Sequence, residues 1–178
     1  MVLAQQDLIT VDGIPAHPLL VHAVVVLLPL AALGGLIIAL RVTWRRRFGL
    51  AVLAITAAGV GAVPLATKTG NQLKAVLPAN PAIEKHANLG NDLLPFALAF
   101  GVAVLLLVIA GRLADRERDA AGSAVRSDVD AGVTRTWRRV AIVAAALVAF
   151  TGVATTVQIV RIGHSGSSAV WQGVGGSR

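Results

Sequence analysis

Four runs of apolar residues, over residues 19–40, 48–66, 93–110 and 140–160, are separated by stretches rich in charge, glycine and proline. A helix needs about 20 consecutive apolar residues to cross the hydrocarbon core of a bilayer. Each run is near that length, so the pattern predicts an all-α, integral membrane four-helix bundle. Pro18 suits the first turn of the first span, where its missing N–H costs nothing. Pro29 sits mid-span and predicts a kink, and Pro64 is expected to weaken the end of the second span. Ala51, Ala54, Ala57, Ala58, Gly59, Gly61 and Ala62 give the second span the small side chains that let membrane helices approach closely.

The third helix has a start signal ahead of its apolar run. Asn80-Pro81 reads as an N-cap followed by a first-turn proline. Residues 82–92 are too polar for hydrocarbon and are expected to project beyond the bilayer. Pro95 predicts a kink where that helix enters it. In the fourth span Thr151, Thr155 and Gln158 share one helical face. Polar groups in lipid seek partners inside the bundle, so this stripe is expected to face inward. No internal repeat stands out, although two helical hairpins in tandem fit the order of spans.

Orientation follows from the arginines. Arg41, Arg45, Arg46 and Arg47 lie between the first two spans. Arg112, Arg116, Arg118, Arg126, Arg135, Arg138 and Arg139 lie between the last two. The opposite side carries only Lys68, Lys74, Lys85, Arg161 and Arg178. Basic loops stay in the cytoplasm, so both termini and residues 67–92 are expected on the outer side of a bacterial inner membrane. Trp44 and Trp137 then fit the inner interface and Trp171 the outer one. Residues 111–139 mix both charges with Gly122, Ser123, Ser127 and Gly132, which reads as a solvated cytoplasmic linker. Met1 to Ala16 has no Lys or Arg, and Asp7 and Asp12 interrupt it. A cleavable secretion signal needs a basic start and an apolar core, so the first span is expected to be an uncleaved anchor.

Composition narrows the chemistry. The 178 residues are 56% hydrophobic and 14% charged, which makes one membrane domain the economical reading. There is no cysteine, which excludes disulfides, thiolate metal sites and covalent haem attachment on this chain. The net charge of +7 is accounted for by the loops and does not point to nucleic acid.

The four histidines, His17, His22, His86 and His164, all fall at the same, outer end of the spans. His22 is one turn inside apolar sequence, where an imidazole is costly unless paired. That makes it the first candidate ligand, partnered by His86 or His164, with His17 close by. Three chemistries suit such a cluster. A b-type haem needs one or two neutral imidazoles in an apolar cleft. Zinc or copper needs three or four ligands, and Asp12, Glu84 or Asp92 could complete a set drawn from all four histidines. A proton-responsive site needs only an imidazole that titrates near neutrality. No nucleophile, acid–base pair or phosphate loop stands out, so no residue is expected to be catalytic and the chain is not expected to be an enzyme. The alternative is a structural or accessory subunit whose histidines tie helix ends together and respond to external pH.

The opening Pro15-Ala16-His17-Pro18-Leu19-Leu20-Val21-His22 resembles the His-Pro-x-x-Val-His start of a bacterial membrane family, the transmembrane domain of unknown function 2231. Further likeness lies in Thr69-Gly70, in Lys85-His86 and in Gly163-His164-Ser165-Gly166 followed by Ala169-Val170-Trp171. Many relatives carry Phe-Pro after the second histidine, where this chain has Ala23-Val24 and a later Pro29. The resemblance implies a four-helix membrane domain. Fusions of relatives to Rieske iron–sulfur or cytochrome c domains imply electron transfer, and hence a redox or respiratory membrane complex as partner.

Overall fold

The computed structural model describes residues 8–121 and 128–171, with side chains placed outside 120–135. Gly122, Ser123, Arg126, Ser127 and Gly132 of the linker, with Asp7 and Arg178, fall outside what is described in full. A two-residue hairpin, β1 (Thr10–Val11) and β2 (Ile14–Pro15), turns through Asp12 and Gly13, both at positive φ. Asp-Gly is the pair that such tight hairpins favour.

Five helices follow: α1 (Ala16–Leu40), α2 (Val42–Val76), α3 (Pro81–Asn91), α4 (Leu93–Ala121) and α5 (Asp128–Trp171). Four of the helical segments are long and apolar enough to cross a membrane. α1 packs along α2 and α4 along α5, while α1 also meets α5 and α2 meets α4, which closes the bundle. Its axis is filled by Leu28, Ile38, Val63, Phe100, Val104, Leu107 and Val148, all 2% exposed or less. The outer surface is apolar too, with Val26, Leu33, Ile142, Phe150 and Val153 all facing out. Such a surface suits hydrocarbon, because lipid takes the place of a second apolar layer.

Small residues set the closeness of packing. Gly59 of α2 sits where an added Cβ would come within 2.9 Å of Leu28 on α1. Gly152 of α5 lies against Phe100 of α4 in the same way, at 3.3 Å. Of the expected polar stripe, Thr155 and Gln158 face inward, while Thr151 is half-buried and donates to Leu147 O of its own helix at 2.6 Å. Thr155 donates to Phe96 O at 3.1 Å and Gln158 Nε2 to Leu89 O at 3.1 Å, so both are satisfied on neighbouring helices.

Three expectations change. α2 runs through Pro64 to Val76, so part of the expected 67–92 loop is helix. Residues 111–139 are helical at both ends, with α4 reaching Ala121 and α5 starting at Asp128. The helix signal at Asn80 is correct, since its side chain accepts from Ala82 N at 2.8 Å. That helix, however, ends at Asn91 and is separated from α4 by Asp92. Length beyond the bilayer is stabilised by packing rather than by lipid. α3 lies on α2 and α5, tied by Lys74–Glu84 at 2.8 Å and by Asn71 Nδ2 donating to Asn91 Oδ1 at 3.3 Å.

At the opposite end, Arg45 of α2 is buried and lies across Gly111 of α4, where a Cβ would overlap its side chain. Asp115, also buried, holds Arg46 Nε at 3.0 Å. The arginine-rich end of the bundle is therefore a packed structure and not only a topology signal.

Candidate functional site

A cavity of about 460 Å³ opens at the histidine end of the bundle, between α1, α2, α3 and α5. Val21, Val24, Val63, Ile83, Ile159 and Ile162 give it apolar walls. His17 and His86 stand in those walls, with ring centroids 6.5 Å apart and planes at 76°. Lys74, Asn71 and Asn91 also border it.

Each of the two rings is fixed by the helix beside it. His17 Nδ1–H donates to Ala66 O of α2 at 3.0 Å. His86 Nδ1–H donates to Ile162 O of α5 at 3.1 Å and approaches Ser165 Oγ at 3.2 Å. A carbonyl can only accept, so the proton is on Nδ1 in both rings and the Nε2 lone pair is left available. Metal-binding imidazoles are oriented in this way by their second nitrogen. No partner for either Nε2 is present among the described residues. The rings also need room. A Cβ on Gly70 would come within 2.8 Å of His17 Cε1, and one on Gly166 within 3.0 Å of His86 Cε1.

The other two histidines are elsewhere. His22 is exposed, and its Nδ1–H donates to Pro18 O of its own helix at 2.6 Å. His164 is exposed and does not line the cavity. The structure thus brings together two of the four histidines, His17 with His86, and places His22 and His164 away from that pair. The acidic candidates do not join that pair either. Glu84 is held by Lys74, Asp12 is in the hairpin turn and Asp92 is exposed at the end of α3. Among the described residues, no three His, Cys, Asp or Glu side chains come together as a metal would require.

Helical phase explains the exchange of His22 for His17. At 3.6 residues per turn, His17 lies about 20° from the buried Val24 on the helical wheel and His22 about 160° from it. Depth in the apolar run singled out His22, but depth does not set rotation. Rotation is set by the stripe Val24, Leu28, Ala31, Gly35 and Ile38, all buried against the other helices. The supporting residues Ala66 and Ile162 carried no signal at all, because they act through backbone carbonyls.

The family described as "Predicted membrane protein (DUF2231)" matches residues 13–177. The chain belongs to this family. No curated protein and no solved structure matches it. The DUF2231 motifs that carried the resemblance map onto the site, Gly70 and His86 included. The first supplies His17, and the Gly163-His164-Ser165-Gly166 motif supplies Ser165 and Gly166 beneath His86. Within this DUF2231 chain the second histidine of the opening motif faces away from the cavity.

Proposed function

We propose that the protein is a non-enzymatic, redox-linked membrane protein that holds a haem b or a transition metal such as copper or zinc in the cavity between His17 and His86. The observation that carries this reading is the pair itself. Two imidazoles from different helices face one apolar space, each with Nδ1–H committed to a backbone carbonyl. A bundle commonly builds its cofactor sites from facing helices in this way. The distribution of arginines supports an orientation with the cavity on the outer side of a bacterial inner membrane. There a haem or a copper ion would exchange single electrons with a partner protein in the same membrane, whereas zinc, which has no redox chemistry, would serve a structural role.

A second reading keeps the same hydrogen bonds and needs no cofactor. His17 ties α1 to α2 and His86 ties α3 to α5, as expected of an accessory subunit whose histidines hold helix ends together. Detergent-purified protein, prepared without chelator, separates the two. Absorption spectra of the oxidised and dithionite-reduced protein, with metal analysis of the same sample, should show a Soret band that shifts on reduction, or stoichiometric metal. Colourless, metal-free protein that takes up neither haem, copper nor zinc would leave only the accessory role.

A further inference from the structure

The two histidines occupy equivalent places in two equivalent halves. Val24, Leu28, Ala31, Gly35 and Ile38 follow His17 at the same intervals at which Leu93, Ala97, Phe100, Val104 and Leu107 follow His86, and all ten are buried. The returning helices agree as well. Counted back from Gly70, the buried positions include Thr69, Val63, Ala62, Gly59, Thr56 and Val52, together with Ala66 and Gly49, whose counterparts Ile162 and Ala145 are half-buried. Counted back from Gly166 at the same intervals, the first six correspond to Ser165, Ile159, Gln158, Thr155, Gly152 and Val148, again all buried.

The chemistry repeats with the register. The carbonyl that holds each histidine lies four residues before the glycine beneath its ring: Ala66 before Gly70, Ile162 before Gly166. The hydroxyl just before each glycine donates to that same carbonyl, Thr69 at 3.1 Å and Ser165 at 2.8 Å. One chance coincidence could match a histidine or a glycine. The shared histidine, carbonyl, hydroxyl and glycine, with most of the buried positions of both helices, point to a repeated hairpin, residues 17–70 and 86–166.

We propose that the chain is two structurally equivalent helical hairpins, and that His17 and His86, one from each, are the two axial ligands of a single haem iron. This rests on the cofactor-binding reading above and names its ligand. Equivalent ligands from two halves reach a shared group from opposite sides. Two imidazoles in line on one metal place their ring centroids roughly 6.3 Å apart, from metal–nitrogen bonds of about 2.0 Å. The observed 6.5 Å fits that arrangement; two corners of a tetrahedron would bring the rings to roughly 5 Å on the same bond length. A structural zinc site takes four protein ligands and a catalytic one three, and the pair has no third among the described residues. The space is also too large for a bare ion. Its 460 Å³ falls within the range of about 300–1,000 Å³ typical of organic ligands. Its walls are apolar, as a porphyrin requires.

The test uses full-length protein in detergent, loaded with hemin and read by absorption and electron paramagnetic resonance. The wild type should be six-coordinate and low-spin. His17→Ala and His86→Ala should each give a five-coordinate, high-spin haem that returns to low spin on adding imidazole. His17→Met and His86→Met keep an axial ligand and should shift the spectrum without loss of haem, which covers the case in which an alanine variant does not fold. His22→Ala and His164→Ala should leave the spectrum unchanged. A high-spin wild type, or a change from only one of the two histidines, overturns the axial pair while leaving a haem pocket standing. Stoichiometric zinc or copper with no haem uptake overturns the haem and leaves a metal site. No uptake of any of them overturns both this inference and the reading beneath it.

Discussion

Gly70 lies so close to the His17 ring that a Cβ would stand 2.8 Å from Cε1. The imidazole keeps its bond to Ala66 O only because that side chain is missing. Gly70→Ala should therefore push the ring from its carbonyl. Alanine is favoured over glycine in a helix by about 1 kcal/mol, so the fold should survive. The expected result is an intact, monodisperse protein with weaker cofactor binding, measured by hemin or metal titration. Gly166→Ala should do the same through His86.

Gly61 is the control for that pair. Nothing lies within 4 Å of a Cβ built there, and the residue is exposed. Gly61→Ala should raise thermal stability by up to about 1 kcal/mol through helix propensity alone. Cofactor binding should not change. A loss of binding here would show that any alteration of α2, and not contact with the ring, disturbs the site.

The packed arginine end predicts a stability defect far from the cavity. Asp115→Ala removes the acceptor of Arg46 and leaves the neighbouring Arg45 buried without the carboxylate. The loss of the carboxylate beside a buried guanidinium should lower the melting temperature, with the histidine-end spectrum unchanged. Gly111→Leu should act on the same place by displacing Arg45.

Most of the fold was legible, and the reasons are specific. Lipid solvation demands long apolar helices, so hydropathy located all four spans. The buried faces of Thr155 and Gln158 followed from the cost of unpaired polar groups in hydrocarbon. The helix ends were less legible. The 68–76 stretch reads as polar loop, yet α2 continues there because α3 packs against it and Lys74 meets Glu84. Of the site, the residue types were legible and their convergence was not. His17 and His22 differ in helical phase, which a hydropathy window does not register. The repeat was hidden because equivalent positions carry unlike residues: Ala31 matches Phe100 and Ala62 matches Gln158. What the halves share is backbone chemistry and most of the buried positions.

Orientation has a direct check, because the chain has no cysteine of its own. Single cysteines at Ala79 and Arg47 report from opposite ends, and both residues are exposed. Ala79→Cys should react with a membrane-impermeant maleimide in intact cells. Arg47→Cys should react only after the cells are opened. The reverse pattern would place the cavity in the cytoplasm.

One cofactor per chain is expected between His17 and His86. The measurement that tests it most directly is the cofactor content of purified protein, haem and metals together, for the wild type and the His17→Ala/His86→Ala double variant. One equivalent per chain in the wild type and none in a folded double variant is the predicted result. An empty wild type, or a double variant that keeps its full complement, would contradict it.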